Sequence, residues 1–299
     1  MIVDKINEYL SKKESVADES LRYEVEKLAG WCFKRQFMTD EQPVIKGKIR
    51  LSSAGKCPRQ VAYAFHGIEK KGKESDSRAK IIFWTGDLSE LTVVALAKLA
   101  GCVLMGTGLN QITVKLPVNG SVIEGHPDGV LIHDKEQYLL EIKSMSSFSF
   151  ARFERGEIDD GYIAQMNAYM ECLGLKKCVL VALNKDNGIM GEKVIEKDDS
   201  VVEKIRANIK AVLHSTPEQL PPPPPELAPN NDGFYPWVCL YCSYWGHCRT
   251  NAEKVLIKNS YKLKEKPCNK SCAIDVVETQ KQNKSPAKKQ AKRTPSMSA

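Results

Sequence analysis

Apolar residues recur at helical spacing over the first 35 positions. Ile6 and Leu10 are spaced like one helix face, and "SLRYEVEKLAGWCFKRQF" puts Leu21, Val25, Leu28 and Trp31 together. "LSSAGKCPRQVAYAFHG" follows, with Ser52 and Ser53 as candidate helix caps and Pro58 suited to a first turn. A Lys-rich loop, "EKKGKESDSRAK", leads into a longer helix, "IIFWTGDLSELTVVALAKLAG", that ends at Gly101. The period then changes. "NQITVKLPV" alternates, and "SVIEGHPDGVLIH" and "QYLLEIKS" are strand-like runs broken by turn residues. "ARFERGEIDDGYIAQMNAYMECLGL" returns to helix, "KCVLVALN" reads as a short buried strand, and "DDSVVEKIRANIKAVLHST" as an amphipathic helix. Five prolines, 221–225, form a stiff extended spacer. No internal repeat is present. The order helix, strands, helix, strand, helix predicts an α/β core with a mixed sheet.

At 299 residues the chain is long enough for one large domain or two small ones. No run of 18 apolar residues occurs, so no transmembrane helix and no membrane partner are expected. The N-terminus lacks the apolar core and cleavage site of a signal peptide. A soluble, cytoplasmic protein is expected. The net charge of +7 is unevenly spread: residues 262–299 carry ten Lys/Arg against three Asp/Glu, and the other 261 residues balance at 34 each. With few apolar residues, the segment from 251 to 299 reads as a basic, disordered tail. Such a tail either adds sequence-independent affinity for nucleic acid or is a solvated end without a partner.

The stretch "EGHPDGVLIHDKEQYLLEIKS" places Asp128, twelve residues, and then Glu141-Ile142-Lys143 along an expected β-hairpin. On a strand Glu141 and Lys143 point the same way and Ile142 the other. Pairing through the "HDKEQ" turn brings Asp128 near Glu141. Two neighbouring carboxylates repel, and a divalent cation relieves the repulsion. Mg²⁺ takes one or two carboxylates and completes its shell with water and phosphate oxygens, and Lys143 can neutralise charge or hold a water. The spacing alone also fits a surface hairpin with solvated charges. Gly125 and Gly129 beside Asp128 suit close approach of a ligand. Gln165 and Tyr169, at i and i+4, offer an amide and a phenol from one helix face.

Ten cysteines in an intracellular chain argue for metal or redox chemistry before disulfides. Cys32, Cys102, Cys172 and Cys178, scattered among apolar residues, read as small buried hydrophobes. Cys239, Cys242 and Cys248 form C-x₂-C-x₅-C in an aromatic-rich segment, which points to zinc or an iron–sulfur cluster. The fourth ligand is Cys57, His247, Cys268 or Cys272, with Cys57 preferred. A metal on Cys57 would close a loop of about 180 residues.

Taken in order, "CPRQVAYAF", "GHPDGV", "EIKS", "QMNAY" and "CLYCSYWGHC" resemble the RecB-like nucleases of the PD-(D/E)xK superfamily. The similarity is to the iron–sulfur members associated with CRISPR systems and their phage-encoded relatives, over roughly residues 50–250. The resemblance implies a restriction-endonuclease-like α/β core, a mixed central sheet flanked by helices, with an iron–sulfur cluster subdomain. It implies three regions: a helical N-terminal segment (1–48), a nuclease domain closed by the cysteines (49–250) and the tail (251–299). It further implies that Asp128, Glu141 and the carbonyl of Ile142 hold Mg²⁺ or Mn²⁺, that Lys143 is catalytic, and that Gln165 and Tyr169 contact DNA. Cys57, Cys239, Cys242 and Cys248 would hold a four-iron, four-sulfur cluster. One position departs: these nucleases usually carry a His four residues after a Gly in the helix before the sheet, and here "GDLSE" puts Glu90 there. A Glu can also ligate a hard metal through oxygen.

The expected function is a metal-dependent DNA exonuclease acting on ends or single strands, with DNA and recombination or CRISPR-adaptation proteins as partners. The alternatives are a DNA-binding or assembly subunit with little cleavage and a zinc-stabilised interaction protein.

Overall fold

The two strongest apolar runs, "QYLLEIKSM" and "KCVLVALN", lie side by side at the middle of the sheet in the computed structural model, which describes residues 1–12, 18–38, 46–71 and 78–267. Helices α1 (Ile2–Ser11), α2 (Glu19–Phe33), α3 (Pro58–Phe65) and α4 (Arg78–Leu99) come first. Strands β1 (Val103–Met105), β2 (Val114–Val118), β3 (Ser121–Gly125), β4 (Gly129–His133) and β5 (Glu136–Met145) follow. Then come α5 (Ser147–Glu154), α6 (Asp160–Leu173), β6 (Lys177–Asn184), β7 (Met190–Glu196) and α7 (Asp199–Leu213). Two short helices, α8 (Trp237–Leu240) and α9 (Trp245–Cys248), and a hairpin of β8 (Ala252–Ile257) and β9 (Ser260–Glu265) complete the order.

The main sheet runs β1-β4-β5-β6-β7. β5 and β6 are parallel and every other pairing is antiparallel, so the sheet is mixed as the element order predicts. The parallel pair needs a crossover, which α5 and α6 supply. Both strands are buried on both faces through their middles, which explains apolar residues on both faces, interrupted in β5 by Glu141 and Lys143. Leu139, Met145, Leu180 and Ala182 face a core shared with α5, α6 and α7. Leu140, Ile142, Val179 and Val181 face a second core shared with α1 and α4. Glu141 and Lys143, by alternation, are on the α6 side. The β4–β5 turn is two residues long, with Asp134 and Lys135 both at positive φ, the geometry that matches strand twist in a tight hairpin.

Several details differ from the sequence expectation. Helix α3 starts at Pro58 as expected, but its N-cap is Cys57. Ser52 and Ser53 belong to a separate 3₁₀ turn because the chain bends again before the helix. Trp31 points outward, at 53% exposed, and Leu21 and Cys32 are the buried residues of α2. The helix expected over 151–175 breaks at Gly156 (φ +87°) and restarts behind the Asp159 cap. Strands β1 and β7 carry no strong alternation and escape the sequence pattern. β7 nonetheless anchors α1, whose first amides donate to Glu192 Oε2 at 2.8 and 3.1 Å.

The tail expectation changes most. Residues 252–265 form the β8–β9 hairpin, and Leu263 and Ala252 pack with Tyr235 and Cys239 in a small third core. Charged residues on its open face conceal it in the sequence. Residues 268–299, including Cys268 and Cys272, lie outside the described residues. No helix among the described residues is long and apolar enough to cross a membrane.

Candidate active site and cysteine cavity

Asp128 sits in the turn just before β4, and the β4–β5 register brings it opposite the Glu141 region of β5. Its Oδ2 accepts the Ile142 amide at 2.7 Å. The carbonyl of a strand residue projects to the same edge as its amide, so the Ile142 carbonyl is on Asp128's side. Glu141 is only 1% exposed. Its Oε1 accepts from Lys143 Nζ at 2.5 Å, and its Oε2 is buried with no hydrogen-bond partner. Lys143 Nζ also lies 3.4 Å from Gln165 Oε1 and 5.0 Å from the centre of the Tyr162 ring.

Glu90 reaches the same locus from α4, in the opposite helical layer. Burial, then the charges of Glu141 and Asp87, pushes its carboxyl up to about 7. Burial and the neighbouring Glu141 and Glu90 hold the Asp128 carboxyl well above the usual range, against Lys143 and the Ile142 amide. Burial raises Glu141 too, with Lys143 opposing. For Lys143 burial would lower the pKa, but Glu141 and Asp128 outweigh it and hold the ammonium charged. Three carboxyl groups thus crowd one lysine. The physical signature is a deficit of positive charge in a desolvated place.

The structure therefore links Asp128, Ile142, Glu141, Lys143 and Gln165 through side-chain contacts, with Glu90 near enough to feel the charges of Glu141 and Lys143. Tyr169 differs from its expected role as a DNA contact. It is 1% exposed, because α6 turns this face into the core, and its hydroxyl accepts from Gln165 Nε2 at 3.2 Å. It supports Gln165 from behind. The glycines beside Asp128 also have packing reasons in place of ligand approach. A Cβ on Gly125 would meet Tyr169 Cε1 at 2.6 Å and Leu51 Cβ at 2.8 Å, and one on Gly129 would meet Thr107 Cγ2 at 2.5 Å. Sequence reasoning missed Asp87, which Arg35 pairs at 2.6 Å and Gln36 Nε2 contacts at 3.1 Å. Asp87 and Glu90, three apart on a helix, were the available signal.

Gln165 and Tyr162 also open onto a cavity of about 670 Å³ that extends to Cys57, Cys239, Cys242 and Cys248. Lys56, Arg59, Arg152 and Lys204 lie along it. All four cysteines are free thiols. Burial pushes Cys242 up to about 11, with the Tyr244 amide opposing and Cys57, Cys248 and Cys239 adding to the rise. Burial also raises the Cys239 thiol, and the neighbouring Arg249 guanidinium opposes that rise. The cysteine segment docks on α3 and the loop after it. Tyr244 stacks on Tyr63 at 5.2 Å, the Gly246 amide donates to the Lys71 carbonyl at 2.7 Å, and His247 Nε2 bonds the Glu69 carbonyl at 2.9 Å. His247 is thus engaged away from the cysteines. The Tyr244 amide donates to Cys242 Sγ at 3.4 Å. Arg249 Nη2 donates to the Leu227 carbonyl at 2.8 Å, while Arg249 Nε and Trp245 Nε1 are buried without partners.

Among the described residues, no three His, Cys, Asp or Glu side chains converge closely enough to hold one metal ion as they stand. At the carboxylate locus Lys143 occupies Glu141 Oε1 and the Ile142 amide occupies Asp128 Oδ2, while Glu141 Oε2 stays without a partner.

No protein-family model matches the chain, and no curated protein matches it. Among solved structures it is similar to SSO0001, at 18% identity and a TM-score of 0.41 over 73% of this chain and 92% of that one. It is also similar to LHK-Exo, an alkaline exonuclease from Laribacter hongkongensis. The match to LHK-Exo in complex with dAMP is at 21% identity and 0.42 over 58% and 91%. A phage-related exonuclease from Haemophilus somnus 129PT matches at 14% identity and 0.32 over 56% and 92%. All of these scores are low.

Proposed function

We propose that the protein is a divalent-metal-dependent DNA nuclease, acting as an exonuclease on ends or single strands. The observation that carries this reading is the partnerless Glu141 Oε2, buried where Asp128 and Glu90 add two further carboxyl groups and Lys143 gives the nearest cation. Hard oxygen donors with unrelieved charge suit Mg²⁺ or Mn²⁺. Asp128, Glu141, Glu90 and the Ile142 carbonyl would hold the ion, which when bound polarises a phosphate and activates water. Lys143 keeps its proton and presents a positive charge beside Glu141. Gln165, braced by Tyr169, fixes the direction of that ammonium. The order of the sequence motifs supports DNA as the substrate, and the lysines and arginines along the cavity suit a phosphate backbone.

Cys57, Cys239, Cys242 and Cys248 would hold a four-iron, four-sulfur cluster. Four free thiols lining one cavity support the fit. Its role is structural, joining α3 to α8 and α9, since hydrolysis moves no electrons.

The test is cleavage of end-labelled single- and double-stranded DNA with Mg²⁺ or Mn²⁺, with and without a chelator. Lys143→Gln should remove activity, and Glu90→Gln should raise the metal concentration needed. Unchanged cleavage by folded Lys143→Gln protein would overturn the reading.

A further inference from the structure

Two buried N–H groups on the cysteine side of the cavity have no acceptor: Trp245 Nε1 and Arg249 Nε. A buried donor left unmade is costly, about 1–3 kcal/mol, so each calls for an acceptor. Both residues line the cavity that Cys57, Cys239, Cys242 and Cys248 line. The arginine is held by three fixed features. Its Nη2 donates to the Leu227 carbonyl, its guanidinium lies 4.6 Å from the centre of the Tyr235 ring, and Tyr235 is itself fixed by its hydroxyl donating to Glu265 Oε1 at 2.9 Å. Trp245 is covered by Lys254 Nζ, 5.5 Å from its ring centre. One N–H to sulfur bond is already made here, from the Tyr244 amide to Cys242 Sγ.

We infer that Trp245 and Arg249 are N–H donors to the sulfur atoms of the iron–sulfur group held by the four cysteines, which sets its reduction potential and its retention. The inference rests on the cluster reading above. Its physical basis is charge: four thiolates around a cluster leave net negative charge in a cavity where the cysteines are buried or half-buried. Donors and a guanidinium stabilise that charge, and stabilise the reduced form most. Removing a donor must therefore lower the potential. Trp245 and Arg249 are positioning residues, since they act on the group through its sulfurs.

The experiment uses the full chain prepared without oxygen, assayed for iron and acid-labile sulfide, with the reduction potential measured by voltammetry. Trp245→Phe keeps the ring and loses the N–H. Arg249→Lys keeps the charge and loses Nε, and Arg249→Met loses both. The expected result is a shift to more negative potential in all three, largest in Arg249→Met, with faster loss of iron to a chelator. If Arg249→Met fails to fold because the Leu227 carbonyl loses its partner, Trp245→Phe still reads the shift. A wild-type protein loaded with iron and sulfide whose potential matches that of Trp245→Phe and Arg249→Lys overturns this inference alone. A wild-type protein without labile sulfide overturns the cluster reading and this inference with it.

Discussion

The Ile142 amide donates to Asp128 Oδ2 at 2.7 Å, which ties the turn before β4 to the strand that carries Glu141 and Lys143. The bond is structural as well as chemical in consequence. Asp128→Ala removes the acceptor and should cost about 1–3 kcal/mol of stability. Asp128→Asn keeps an acceptor oxygen and should cost less, although both remove the charge. Urea unfolding of the two variants checks this, and coincident midpoints would show that the bond does not matter to the fold.

Lys143 and Glu141 should behave as one unit. Lys143→Met leaves Glu141 buried without its cation, a change expected to cost about 3 kcal/mol. Adding Glu141→Gln removes the stranded charge, so the double variant should recover part of that loss, with a coupling of at least about 1 kcal/mol. A double-mutant cycle by chemical unfolding measures it. Additive losses would mean that the two side chains are energetically independent.

Gly125→Ala is expected to be harmful through packing alone. The added methyl meets Tyr169 and Leu51 inside ordinary contact distance, and overpacking of this kind costs about 1–3 kcal/mol. Thermal unfolding should show a lower midpoint. Because Tyr169 supports Gln165, any nuclease activity should fall as well. A midpoint equal to that of the wild type would place slack where the structure has none.

A tail deletion must begin after Pro267, since cutting at 262 would remove Leu263 from the third core and Glu265 from Tyr235. Residues 268–299 carry seven Lys/Arg against two Asp/Glu. Their removal should weaken DNA binding and flatten its salt dependence, by about 0.9 in the log–log slope for each phosphate that the tail neutralises. Binding titrations at several salt concentrations provide the check, and identical slopes would exclude the tail from the interface.

The central features were legible where periodicity and turn chemistry agree. The apolar runs of β5 and β6 and the tight Asp134-Lys135 turn are enough to align Asp128 with Glu141. Gln165 and Tyr169 are neighbours as their i, i+4 spacing requires, but spacing cannot say which of the two the core will take. Tyr169 goes inward and Gln165 stays at the cavity. β7 hides because its residues show no strong alternation, and the β8–β9 hairpin because its open face is dressed with charge. The reason for Gly125 is three-dimensional: Leu51 and Tyr169, far apart in the chain, meet over it. The partnerless nitrogens of Trp245 and Arg249 have no sequence signal at all.

The docking of Tyr244 on Tyr63 also sets a timetable for synthesis. About 180 residues separate the two rings, so at roughly 5–20 residues per second α3 emerges some ten to forty seconds before its partner segment. For nearly all of that interval Cys57 is on the growing chain with none of Cys239, Cys242 and Cys248 yet made. For the proposed cluster to form, the Cys57 thiol would have to survive that wait unoxidised, which ties maturation as well as the finished molecule to reducing conditions.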